Sequence, residues 1–138
     1  MQTLYRAATS ARNCGSLTWW ADERDVAEAY RDNQGYGGPA IYALETASDA
    51  ILDLTAGQPH YSRDDVEMIA MLADVLGDED LPDNRRGDYI HDVLEDAAIT
   101  DALRARYDWV VIYDSYPEGA RTWLRLRATA GERARKAR

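Results

Sequence analysis

YDWVVIYDSYPEGARTWLRLRA, residues 107–128, decides how this chain folds. Its first part, WVVIY, is an unbroken apolar and β-branched run bounded by aspartates, the pattern of a strand buried on both faces. Tyr116-Pro117-Glu118-Gly119 then carries turn chemistry. RTWLRLRA follows with a period of two, setting Thr122, Leu124 and Leu126 against Trp123, Arg125 and Arg127, so a second strand with two distinct faces is expected. A strand, a turn and a strand therefore close the domain.

Working back from this unit, two helices are expected. Asp64 to Leu76 places Val66, Ile69, Ala70, Ala73 and Leu76 on one face, and Tyr89 to Ala98 does the same with Ile90, Val93, Leu94 and Ala97. A further helical stretch covers Thr100 to Arg106. Upstream, LYRAAT (4–9) and SLTWW (16–20) read as strands around the Asn13-Cys14-Gly15 turn. Asp22 opens a helix through ADERDVAEAYR, with acids in its first turn. IYALET and AILDL give two more strands after the helix-breaking YGGPA. The elements do not alternate as in a doubly wound fold, so the class is α+β. One domain over residues 1–130 is expected, with 131–138 a frayed basic tail.

Composition bounds the chemistry. One cysteine, Cys14, forms no internal bridge, and 46% hydrophobic residues in 138 suffice for a core. That fits a cytoplasmic protein, of a bacterial or a host cell, and no apolar run approaches a membrane span. Net charge is −9, and the tail's four bases and one acid leave −12 on residues 1–130. Direct nucleic-acid binding is disfavoured. An acidic body can instead occupy the basic groove of a nucleic-acid-binding partner. The acidic stretch from Gly77 to Asn84 lacks the glycine and closing glutamate of a calcium loop. His60 and His91 are too separate for a metal cluster. His91 and Glu95 are spaced to pair on a helix surface, and Cys14 reads as a small apolar filler.

Four blocks, LYRAA, GSLTWWADERDVAEAY, GGPAIYALETASDAILDL and RYDWVVIYDSYPEGARTWLRL, resemble the successive blocks of small ADP-ribosyltransferases, the compact phage and prophage members above all, including those that act as anti-CRISPR proteins. The resemblance implies a split, mostly antiparallel sheet with flanking helices, and NAD as substrate. It also implies transfer of ADP-ribose to a protein target, as a toxin-like effector would. Arg6 would hold the phosphate or ribose of NAD. The family's Ser-Thr-Ser strand falls on Ser16-Leu17-Thr18, with Leu in the middle place. Trp19, Trp20 or Tyr30 would stack on nicotinamide, and the late acidic residue would be Asp114 or Glu118. Cleavage of the nicotinamide bond develops positive charge on ribose, which a fixed carboxylate stabilises in the transition state. Adjacent strand residues point to opposite faces, so at least one of Trp19 and Trp20 belongs to the core.

Overall fold

The computed structural model describes residues 1–34, 38–58, 64–77, 81, 85, 87–114, 119–129 and 131–138. Strands are β1 (Gln2–Ala8), β2 (Thr18–Ala21), β3 (Ala40–Thr46), β4 (Ile51–Asp53), β5 (Trp109–Tyr113), β6 (Arg121–Arg125) and β7 (Arg135–Lys136); helices are α1 (Arg24–Ala29), α2 (Asp65–Leu76), α3 (Ile90–Val93) and α4 (Ala97–Arg104). The class is α+β. The seven strands form one open sheet in the order β4-β5-β6-β2-β1-β3-β7, antiparallel throughout except that β4 runs parallel to β5. β5 and β6 pair over their whole length, from Trp109 opposite Arg125 to Tyr113 opposite Arg121, as the strand–turn–strand reading requires. β1 meets β2 at one register pair, Tyr5 opposite Ala21.

The sheet has apolar layers on both faces. On one, Met68, Ile69, Leu72 and Ala73 of α2, with Ile90, Val93, Leu94, Ile99 and Leu103, cover Val110, Ile112 and Leu124. α1 continues this layer, seating Val26 and Ala27 on Ala7, Ala21 and Ile41. Ile69 and Ala73 of the stripe expected on α2 are buried, whereas Val66, 70% exposed, and Ala70 face outward, and Met68 and Leu72 complete the buried face instead. Asp64 caps α2 by accepting from the Glu67 amide.

The opposite face holds Leu4, Trp20, Leu44, Trp109, Val111 and Trp123. Trp109 meets Trp20 and Trp123 edge to face, with ring centroids 6.4 and 6.0 Å apart, the arrangement favoured by aromatic quadrupoles. Arg125, on what reads as a polar face of β6, is also buried. Its guanidinium donates to the carbonyls of Cys14 and Glu132 and lies over the Trp109 ring.

Three elements differ from the sequence reading. The helix expected across Tyr89–Ala98 stops at Val93, because Asp96 starts a new helix by accepting from the Ala98 amide. Asp22 does not cap α1; Glu23 occupies that place, and the Asp22 carboxylate accepts from the Trp123 indole instead. The last residues do not fray as expected: β7 pairs with β3, and Glu132 accepts from Thr46 Oγ1 at 2.6 Å. His60, Glu118 and most of the acidic stretch from Gly77 to Asn84 lie outside the described residues. Among the described residues no helix is long and apolar enough to cross a membrane.

Candidate active site

Asp114 leaves β5 at the point where the buried strand ends. Its amide donates to the Ala120 carbonyl, which extends the β5–β6 ladder by one bond and fixes the backbone. The side chain is only 12% exposed. Its Oδ2 accepts from Thr122 Oγ1 at 3.3 Å, so a neighbouring strand residue orients the carboxylate. A carboxylate withdrawn this far from water needs partners. His91 also faces it, with Nδ1 3.6 Å from the same oxygen. That separation is too long for a hydrogen bond and short enough for attraction between charges when the imidazole is protonated.

His91 is held by three elements. The first turn of α3 presents it, with the Ile90 amide tied to Asp65 of α2. Its Nε2 pairs with Glu95 at 3.0 Å. Its ring stacks on Trp19 of β2, with centroids 4.6 Å apart and planes inclined by 21°. The Asp114 carboxylate, and Glu95 to a lesser degree, raises the His91 pKa above the ordinary histidine value, against the opposing cost of half-burial.

Trp19 and Trp20 divide as the strand period demands. Trp20 is 1% exposed and belongs to the aromatic core. Trp19 packs on the helical layer, on the face that also carries Leu124 and Ile112, and is joined to Asp114 through the His91 ring between them. Thr122 lies opposite Ala21, and Ala21 opposite Tyr5, so these three share that face.

Arg6 is the residue that the structure does not bring to Asp114. One position beyond Tyr5, it leaves the sheet on the other face, with Trp20 and Cys14. Its guanidinium is already engaged: Nε donates to the Asn13 carbonyl at 2.8 Å, and Nη1 to the Trp19 carbonyl at 2.9 Å. Burial lowers its pKa, with Cys14 acting in the opposite direction. The resemblance implies that Arg6 holds the phosphate or ribose of NAD; here it binds the turn of residues 11–14 to β2.

Ser16 and Thr18 are braces of the same turn. Thr18 Oγ1 donates to the Gly15 carbonyl and accepts from the Trp20 indole, and Ser16 Oγ accepts from the Ala128 amide. Tyr30, at the end of α1, packs against the cluster of Ala7, Ala21 and Val26. Sequence reasoning missed His91 as a partner of Asp114. The i,i+4 spacing to Glu95 was visible, but the contact across 23 positions needs the helix break at residues 94–96 to set α3 against the end of β5.

A cleft of about 440 Å³ opens at the adjoining end of the sheet, lined among others by Asp22, Glu23, Asp53, Tyr113 and Arg121. Arg121 bridges Asp22 at 3.5 Å and Asp53 at 3.2 Å. Asp114 is not among its lining residues, although Tyr113 and Ala120 adjoin both sites. No group of three or more potential metal ligands occurs among the described residues. No family model, curated protein or solved structure matches this chain.

Proposed function

We propose that this chain is a mono-ADP-ribosyltransferase that cleaves NAD and passes ADP-ribose to a protein, with Asp114 as the catalytic carboxylate. One observation carries the reading. A carboxylate 12% exposed, oriented by Thr122 and facing a histidine that stacks on Trp19, stands at the exit of an interior strand. In the proposed reaction the bond between ribose C1′ and the nicotinamide nitrogen breaks, and its electron pair returns to the ring, which departs neutral. Positive charge then spreads over C1′ and the ring oxygen of ribose. Asp114 is pre-oriented to stabilise that charge, which is fuller in the transition state than in bound NAD. An acceptor side chain of the target protein supplies the electron pair of the new bond and loses its proton to solvent. Trp19 offers the flat surface on which a cationic aromatic ring rests.

The reading departs from the family expectation at Arg6, Ser16 and Thr18, which it treats as structural. Incubation of the protein with NAD and a cell lysate, followed by intact-mass analysis, should reveal free nicotinamide and targets heavier by one ADP-ribose. Asp114→Ala should lower the rate by about 10²–10³, the usual cost of losing a pre-aimed electrostatic group. An undiminished rate in that variant would remove Asp114 from the chemistry.

The cleft favours a second reading. Asp22, Glu23 and Asp53 around Arg121, on a body of charge −12, suit a non-catalytic protein that blocks a basic nucleic-acid-binding surface. Partner binding that persists in Asp114→Ala and weakens steeply with salt would select it.

A further inference from the structure

We infer that Trp19 and Asp114 form a seat for a flat aromatic cation, and that the imidazole of His91 occupies this seat in the free protein, so that a ligand must displace it. The inference deepens the proposal above, since it takes the nicotinamide end of NAD as the ligand and adds that the chain competes for its own site.

The geometry has the required parts. A planar ring lies 4.6 Å from Trp19 and nearly parallel to it, and one of its nitrogens faces Asp114 Oδ2 at 3.6 Å. A pyridinium held by the same two groups would use the same stacking surface and the same charge. Both rings cannot use that face at once. The fit of His91 is also incomplete, because its Nδ1 is buried yet has no hydrogen-bond partner within range. A ring nitrogen in this state gives up no hydrogen bond to Asp114 when it leaves. The backbone of α3 is fixed, with Ile90 and Val93 fully in the core, so displacement is a side-chain rotation. Glu95, 63% exposed, already pairs with Nε2 at 3.0 Å, and its exposed side chain lets that pair move with the imidazole as it swings outward.

Among the described residues the charged groups facing His91 are Asp114, after β5, and Glu95, after α3; Trp19 of β2 contributes an uncharged face. Protonated His91 is the stronger competitor, because only that form is attracted to Asp114 as a charge. Neutralising it at higher pH should therefore open the seat.

The test uses 1-methylnicotinamide, a pyridinium that needs no turnover, with tryptophan fluorescence as readout. Trp20, Trp109 and Trp123 are at most 5% exposed, so quenching by a polar cation reports Trp19, and Trp19→Phe should abolish it. The unaltered protein should bind about tenfold more tightly near pH 8.5 than near pH 5.5, equivalent to about 1.4 kcal/mol. His91→Ala and His91→Gln should bind at both pH values as the unaltered protein does near pH 8.5. Weaker binding in both variants, or an unchanged pH response in them, would overturn the inference. If NAD is never cleaved but this pattern appears, the seat stands and the transferase reading falls. If NAD is cleaved while the variants gain nothing at low pH, the transferase stands and the competition falls.

Discussion

Replacing Arg6 with alanine separates a structural arginine from a ligand-binding one. The side chain makes two bonds from a charged donor to backbone carbonyls, at 2.8 Å to Asn13 and 2.9 Å to Trp19. Bonds of this kind contribute about 1.5–3 kcal/mol each when withdrawn from water, and less when exposed. The bond to Trp19 is partly buried and the bond to Asn13 is exposed, so the full value applies to the first alone. Their joint loss should cost about 2–4 kcal/mol, with the Trp19 carbonyl left short of a donor beside the one register pair that joins β1 to β2. For a domain of this length that lowers the melting temperature by roughly 8–16 °C. Lysine, which lacks the planar fork, should recover less than half of the loss. Urea unfolding at neutral pH measures the cost, and a parallel titration of the folded variant with NAD measures affinity. Stability should fall while NAD affinity stays within about twofold, a margin of roughly 0.4 kcal/mol. A variant as stable as the parent that no longer binds NAD would refute the structural role and return Arg6 to the site.

Two further outcomes are expected. A Cβ on Gly38 would stand 2.1 Å from the Thr9 nitrogen and 2.2 Å from the Ala8 carbonyl carbon, both backbone. Gly38→Ala should therefore cost about 3 kcal/mol or more in urea unfolding, and an unchanged midpoint would show that the chain near residue 38 can step away. Burial pushes the Asp108 pKa up, but hydrogen bonds from Ser48 and Arg127 outweigh it and hold the group below its ordinary value of 3.8. A depressed folded pKa stabilises the native state above the unfolded value and loses that effect as pH falls through the folded one. Acid unfolding below about pH 4 should thus lose part of its slope in Asp108→Asn; an identical acid limb in that variant would exclude Asp108 as a contributor.

Local signals made much of the fold legible. WVVIY and RTWLR carry their own period, and Asp64 with the apolar spacing behind it marks α2 almost to the residue. Signals that depend on distant partners were not legible. Arg125 reads as a surface charge on an alternating strand, yet carbonyls from Cys14 and Glu132 allow it to be 3% exposed. The basic tail looks solvated because its one acid, Glu132, finds Thr46 only when β3 lies alongside. The same limit governs the candidate site. Asp114 was visible as a carboxylate ending a buried strand, whereas its faces, partners and separation from Arg6 follow from register, which pairs residues a hundred positions apart.

That register sets a kinetic order. On its β6 side the strand Thr18 to Ala21 pairs with Thr122 to Arg125, so the middle of the sheet is joined by a contact spanning most of the chain. Loop-closure entropy must be met before this contact rewards it, so refolding in the millisecond-to-second range typical of sheets with distant pairings is expected. Trp20 and Trp123 come opposite each other in the same event. Their burial gives refolding experiments an intrinsic clock for the step that joins the two ends of the sequence.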